Sequence, residues 1–382
     1  MSAKRILMIE PRFNSYYGAQ KSMTHLVKSL DSDTFKTYIV TTRNGELNKF
    51  LTEEGIDVKI VPLGKSANAF GGRVLSYSIF RKLLVVFQIL FFNLRLVFLI
   101  KRNNIDIVYA NDARAVMYGG IAAKLLRKPL VYYIRADVGN SQVTKLGFAL
   151  SSRIITIAKG VLDGASESIK NKYKDKIVNI YTGFTFSDHS NQYEDILPSE
   201  ETDPKILIGY IGSINERKGI DLLVDAMKSS AVKPKIELIF AGGVSPGHEQ
   251  YWLRLKKEMT ENEISYQELG YTDRVQDVMK TIDIKVLPSR SEGLPRSLIE
   301  AMYHECAVIA TDVGGVQEII PNDDFGVVIS PESTEQLTKA IEGLTSDKTK
   351  RDHLAKKGKA YVIDTFRQEK YEREINHLFM NL

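Results

Sequence analysis

Short apolar runs separated by helix-length segments recur along the whole chain, and this rhythm constrains the fold more than any other feature. RILMIE, TYIVTT, DVKIVPL, DIVYAN, PLVYYI and RIITIA lie in the first half. KILIGYIG, IELIFAGG, IKVLPS, AVIATDV and GVVIS follow residue 204. Such runs suit strands whose two faces are both covered by helices, as in a parallel sheet. Strand alternating with helix predicts a doubly wound α/β sheet, and the rhythm starts twice. A chain of 382 residues exceeds one ordinary core, in agreement with two domains. Residues 1–185 and 205–364 are therefore expected to form two Rossmann-like domains. FSDHSNQYEDILPSEETDP, residues 186–204, is polar and acidic with two prolines and reads as a linker. Residues 365–382 have helical character with no strand after them, and are expected to cross back to the first domain.

The net charge of +5 hides an asymmetry. Residues 1–185 hold 28 Lys+Arg against 13 Asp+Glu, whereas residues 186–382 hold 24 against 34. A positive first half predicts an anionic partner, such as a phosphate-rich acceptor or a membrane surface. Nucleic acid is not expected, because the chain has no zinc finger, RNA-recognition motif or aromatic-basic interleaving. The lone Cys306 forbids an internal disulfide and fits a reducing compartment. The N-terminus runs straight into a strand pattern without the apolar stretch of a secretory signal. Both points lead to the expectation of a cytoplasmic protein.

Ligands of open α/β sheets bind at the carboxyl ends of the strands, so candidate chemistry is sought there. After the first strand, EPRFNSYYGAQKSM offers Gly18, either as a simple turn or as backbone facing an anion. IGSINERKGIDLL sets Arg217 and Lys218 at the start of a helix, where cations oppose the helix dipole but suit a pyrophosphate. In FAGGVSPG, Gly242 and Gly243 permit close approach of a ligand to the backbone. Gly270 and Tyr271 in QELGYTDRV offer a place for a base to stack. SRSEGLPRSLIEAM then sets Glu292 in a turn and Glu300 in a helix whose first turn suits Pro295. At about 1.5 Å per helical residue these carboxylates are on the order of 12 Å apart. Acid/base pairs of glycosidases stand closer, roughly 5–9.5 Å. The pair is therefore read as gripping the two ends of an extended nucleotide-sugar, not as a proton-transfer couple.

These segments, in this order, resemble glycosyltransferase family 4, of the two-domain GT-B fold in which two Rossmann-like sheets face across a cleft. The E-x7-E block of SEGLPRSLIEAM, followed by AVIATDVGGVQEII and preceded by IGSINERKGIDLLVDAM, FAGG and LGYTDRVQDVM, carries the resemblance most densely over residues 205–330. It implies a retaining hexosyltransferase that uses a nucleotide-diphospho-sugar such as a UDP-sugar, with no metal and no resident cofactor. It further implies that Glu300 holds the ribose hydroxyls and Glu292 the donor sugar. Gly293 and Leu294 would offer backbone donors, and Lys218, helped by Arg217, would neutralise the leaving diphosphate. Three positions depart from the family pattern. Ser213 stands where many members have Arg, Arg135 where many have His, and YYGAQKS replaces a double glycine. Arg135 and Asp112 are assigned to the acceptor side.

Residues 74–102, VLSYSIFRKLLVVFQILFFNLRLVFLIKR, form a very apolar helix candidate whose Arg81, Gln88, Arg95 and Arg102 recur every seven residues as one narrow polar stripe. Arg95 interrupts its centre, so a membrane span is not expected. Two readings stand: a core helix on the sheet, or a helix partly exposed at an anionic membrane interface. A glycolipid or polyprenyl-diphosphate-linked acceptor would account for basic charge and apolar surface together. That places the enzyme in cell-envelope glycan synthesis of the surface-polysaccharide or lipopolysaccharide type, peripheral on the inner face of the plasma membrane. The alternatives are a soluble small-molecule acceptor, or a GT-B nucleotide-sugar epimerase, for which no acid/base carboxylates can be placed. A dinucleotide oxidoreductase would need G-x-G-x-x-G after the first strand, which is absent.

Overall fold

The computed structural model describes residues 3–11, 13, 18–68, 76–186 and 205–382. The chain divides into two compact units. The first comprises Met1–Ile157, Val161–Gly183 and Gln368–Leu382, and the second Ala158–Gly160 and Phe184–Arg367. The expected linker lies, apart from Phe186, outside the described residues.

The N-terminal unit is built on a seven-stranded sheet in which every pairing is parallel. Its strands are β1 (Lys4–Glu10), β2 (Phe35–Thr41), β3 (Val58–Ile60), β4 (Ile107–Ala110), β5 (Leu130–Ile134), β6 (Arg153–Thr156) and β7 (Ile177–Asn179). They lie in the order β3-β2-β1-β4-β5-β6-β7. Every residue of β4 and β5 is buried, as strands with helices on both faces must be. The helices are α1 (Gly18–Ser29), α2 (Glu46–Glu53), α3 (Ile79–Arg102), α4 (Ala113–Leu125), α5 (Gln142–Leu150) and α6 (Glu167–Tyr173). Sequence periodicity does not reveal β7, because its three edge residues are half-buried and polar at one end.

The C-terminal unit repeats the design with six parallel strands in the order β10-β9-β8-β11-β12-β13. In chain order it runs β8 (Ile206–Ile211), α7 (Ile220–Ser229), β9 (Ile236–Ala241), α8 (Glu249–Glu261), β10 (Tyr266–Gly270) and α9 (Val275–Thr281). Then come β11 (Ile284–Leu287), α10 (Arg296–Tyr303), β12 (Ala307–Thr311), α11 (Val316–Ile319), β13 (Val327–Ile329), α12 (Thr334–Ser346) and α13 (Lys348–Thr365). Ile208, Tyr210, Leu238, Phe240, Ile284 and Val286 supply the sheet's share of the core. In this order the connection reverses direction between β8 and β11, and a ligand crevice opens beyond the carboxyl ends at such a switch point.

The last helix, α14 (Gln368–Met380), belongs to the N-terminal unit. Tyr371 stacks on His25 of α1 with ring centroids 5.4 Å apart, and the Asn376 side-chain amide donates to the Ser29 carbonyl at 2.9 Å. Lys4 Nζ donates to the Met380 carbonyl at 2.6 Å. Chain end and chain start are thereby tied into one core.

Candidate active site

The switch point of the C-terminal unit brings the expected donor residues together. After β8 the chain passes Ser213, makes a 3-10 turn over Glu216–Lys218 and enters α7 through Gly219. Gly219 has φ +66, and a Cβ there would stand 1.9 Å from the Pro288 carbonyl oxygen at the end of β11. Only glycine permits both the backbone conformation and the contact. The contact presses the turn carrying Arg217 and Lys218 onto the loop after β11. There the Arg290 amide donates to the Arg217 carbonyl at 2.9 Å, and Arg217 Nη1 donates to the Ser291 carbonyl at 2.6 Å.

Lys218 and Glu292 meet inside this junction. Lys218 Nζ lies 2.5 Å from Glu292 Oε1, and their side chains are only 15% and 8% exposed. Ser289 Oγ donates to the same carboxylate oxygen at 2.7 Å. A charge pair this sheltered is held by geometry, because desolvation offsets much of its Coulomb gain. Arg290 fixes the loop from the other side. It grips Asp221 of α7 through two bonds of 2.9 and 2.7 Å and also pairs with Glu332 at 2.6 Å. The Tyr251 hydroxyl completes that network by donating to Asp221 at 2.7 Å.

Beneath the pair lies Lys285, fully buried in the middle of β11. Its Nζ donates to the Val286 carbonyl at 2.8 Å and sits 5.1 Å from the centre of the Tyr210 ring. Burial, and then the nearby Lys218 ammonium, push its pKa down to about 7 against the pull of Glu292. Tyr210 is driven the opposite way. Burial, and then the Glu292 charge, raise its pKa well above the usual value, so it remains a neutral donor to the Ser213 carbonyl at 2.7 Å.

The other donor candidates of this unit lie at its strand ends and on α10. Gly293 and the buried Leu294 and Pro295 connect Glu292 to α10, with Pro295 capping the helix just before its first turn. The Gly293 carbonyl accepts from the Gly315 amide at 2.7 Å. Glu300, in the second turn of α10, is partly exposed and stands 3.5 Å from Arg296, whose guanidinium lies over the Phe184 ring. Gly243 and Gly270 line the ends of β9 and β10, and Tyr271 beside them is 82% exposed, with its face available for stacking. Gly242 has a structural reason to be glycine. A Cβ there would stand 1.9 Å from the Gly212 carbonyl, so it serves the close crossing of two strand ends.

In the N-terminal unit, Arg135 is held tightly where β5 ends. Its Nε donates to Asn111 at 3.1 Å, its Nη2 to the Tyr109 hydroxyl at 2.9 Å and its Nη1 to Ser22, while the guanidinium lies 3.7 Å from the Tyr133 ring centre. Asn111 in turn donates to the buried Glu10. Asp112 is the N-cap of α4: its side chain accepts from the Arg114 and Ala115 amides at 2.9 Å and pairs with the Arg114 side chain at 3.2 Å. Gly18 opens α1. The 74–102 segment becomes a helix only from Ile79, and residues 69–75 lie outside the described residues. The core-helix reading fails, since Phe80, Phe87 and Phe98 are 80%, 66% and 75% exposed.

Sequence reasoning missed Ser289, Arg290, Asp221 and Lys285. Only Lys285 carried a signal: a lysine inside the apolar run IKVL has no solvent face to use.

Two family models match the chain. Residues 17–183 match the model described as Glycosyltransferase Family 4, and residues 192–361 match Glycosyl transferases group 1. The chain belongs to glycosyltransferase family 4. It is 24% identical to the capsular polysaccharide biosynthesis glycosyltransferase CapM of Staphylococcus aureus over 366 residues, 87% of this chain and 91% of CapM. It is 26% identical to the lipopolysaccharide core biosynthesis mannosyltransferase LpsB of Rhizobium meliloti over 183 residues, 47% of this chain and 52% of LpsB. Among solved structures, Anabaena Alr3699/HepE in complex with UDP superposes with a TM-score of 0.79 at 18% identity, covering 99% of this chain and 100% of that one. A glycosyltransferase from Rickettsia africae gives 0.79 at 21%, covering 100% and 99%. The family member described here thus has the two doubly wound sheets of the GT-B class.

Proposed function

We propose that this glycosyltransferase moves a hexose-type sugar from a nucleotide-diphospho-sugar to a lipid-linked precursor of a surface polysaccharide, with retention at the anomeric carbon and without a metal. The observation that carries the donor half is the sheltered Lys218–Glu292 pair at the β8/β11 switch point. Breaking the anomeric bond builds negative charge on the leaving diphosphate, and a preorganised cation stabilises that charge. Lys218 directs one N–H to Glu292, which leaves two N–H groups for phosphate oxygens. Arg217, exposed and anchored to the Ser291 carbonyl, adds a second cation. Glu292 takes Lys218 and Ser289 on Oε1, which leaves Oε2 to orient a sugar hydroxyl. Glu300 holds the ribose end, Tyr271 the base, and the backbone of Gly293 and Leu294 faces sugar and phosphate. Retention follows if the acceptor hydroxyl attacks from the face the diphosphate leaves and passes its proton to a phosphate oxygen.

HepE has been solved with UDP and with UDP-glucose, which favours a uridine donor here. The names of CapM and LpsB favour capsule- or lipopolysaccharide-type acceptors. The lipid-linked acceptor and a place on the inner face of the plasma membrane rest on the basic first half and the apolar α3. Thermal shift and hydrolysis with a panel of UDP-, GDP- and ADP-sugars test the donor. Stabilisation by none of them overturns the assignment. NMR of the product's anomeric proton tests retention, and full activity in EDTA tests metal independence.

A further inference from the structure

Helix α3 shows the solvent an apolar surface that a water-facing helix does not carry. Phe80, Leu83, Phe87, Leu90, Leu94 and Phe98 follow one another at helical three- and four-residue steps, and each is at least 47% exposed. The opposite seam, Val85, Phe92, Leu96 and Leu99, is buried in the N-terminal unit. Asn93 fastens α3 to α4 by accepting from the Ala122 amide at 2.9 Å, and one turn on, Leu125 of α4 is 67% exposed. Arg95, Gln88 and Arg81 edge the apolar arc. Arg95 donates to the Pro62 carbonyl at 2.7 Å and lies over Phe91, Gln88 accepts from the Ala67 amide at 3.0 Å, and Arg81 lies over Tyr77. Between Asp57 and Asp106 the sequence holds eight Lys or Arg and no Asp or Glu.

We propose that α3, with the adjoining end of α4, lies flat in the headgroup region of an anionic lipid bilayer. An exposed apolar stripe edged with Arg and Lys and free of carboxylates is the pattern of an interfacial helix. α3 is long and apolar enough to cross a membrane by length and composition, but crossing would tear its buried seam and the Asn93 bond from the unit. Pairing with a second copy of the chain about a two-fold axis would set this cationic face against itself, which like-charge repulsion opposes. An anionic bilayer complements both the apolar stripe and its charged border. The inference deepens the reading of a lipid-linked acceptor, and its test uses no acceptor.

The test is flotation of the full-length protein with extruded vesicles of phosphatidylcholine, alone or mixed with phosphatidylglycerol. The wild type is expected to float with the anionic vesicles, less so at high salt and least with phosphatidylcholine alone. The triple variant Phe80→Ser/Phe87→Ser/Phe98→Ser is expected to lose at least tenfold in partitioning while keeping the wild-type Tm, because its side chains leave no cavity. Phe98→Trp supplies a second readout. The single natural tryptophan, Trp252, is buried in the C-terminal unit, so a blue shift on adding anionic vesicles reports the new side chain. A wild type that stays with the soluble fraction, a triple variant that floats like wild type, or concentration-dependent dimerisation lost in the triple variant without vesicle binding each overturns the proposal. Intact flotation with no transfer to any polyprenyl-linked acceptor would sink the acceptor reading alone.

Discussion

Replacing Lys285 by methionine should stabilise the protein, and by an amount that shrinks as pH rises. Methionine matches the unbranched stem as far as Cε, with sulfur in place of the δ methylene, and removes the amine. In the fold that amine is fully buried with one carbonyl partner, and burial holds its pKa at about 7 against the ordinary 10.5. Folded pKa lies below unfolded pKa, so between these values the unfolded chain holds a proton that the native state has released. Stability therefore climbs with pH across that window, and below about pH 7 the full cost of forcing the ammonium into the core is present. The fall from 10.5 to about 7 corresponds to at most about 5 kcal/mol at roughly 1.4 kcal/mol per pH unit.

Thermal melts of wild type and Lys285→Met at pH 6, 8 and 10 isolate this effect, because titrating groups not coupled to Lys285 contribute equally to both proteins. At pH 6 the variant's gain should reach several kcal/mol, read as a rise of at most about 10–20 °C in the transition of the C-terminal unit at about 2–4 °C per kcal/mol. By pH 10 the difference should close to under about 1 kcal/mol, as the unfolded lysine also begins to lose its proton. A variant no more stable than wild type at pH 6, or a gap that stays constant with pH, would refute the reasoning.

Lys218→Ala strands Glu292 in its sheltered site with only Ser289, and should cost about 3–5 kcal/mol in denaturant titrations. Lys218→Met/Glu292→Leu should recover most of that stability and none of the turnover, which is expected to fall by roughly 10²–10³. Gly219→Ala puts a methyl against the Pro288 carbonyl at positive φ, so kcat should fall although no charged group is removed; a fully active variant would show that the crossing does not position Lys218. Tyr271→Ala should leave Tm unchanged, because the ring is 82% exposed, yet weaken donor binding by roughly tenfold if the base stacks there. Equal donor affinity in calorimetry would remove Tyr271 from the site.

The architecture was legible because both sheets are wholly parallel, so their central strands had to be apolar on both faces. The polar edge strand β7 left no such mark. At the donor site the carrier segments could be read because they follow strands and contain glycines and charges at helix starts. Their mutual contacts could not. Nothing in the sequence says that Lys218 reaches back to Glu292, or that Arg290 closes on Asp221 69 positions earlier, because such pairs are created by the β8/β11 crossing. The helical character of 74–102 was legible, whereas its exposure depended on how narrow a seam α4 and the sheet would cover.

Lys285 connects stability to the proposed chemistry. An amine retained in the core at such a cost stands in the field of Lys218 and Glu292, the two side chains proposed to face the transferred group. A bound diphosphate would bring negative charge to the same place and so favour the protonated amine. Linkage is reciprocal: if the donor raises the proton affinity of Lys285, protonation must raise the affinity for the donor by the same factor. Donor binding should then take up a fraction of a proton near pH 8, where the free protein has largely released it, and affinity should weaken as pH rises from 7 to 9. Calorimetry in buffers of different ionisation enthalpy counts that proton directly. The uptake should fall in Lys285→Met while the Lys218–Glu292 pair remains intact. Equal uptake in wild type and variant would mean that the buried amine does not sense the donor, and would assign the pH dependence to other titrating groups of the protein.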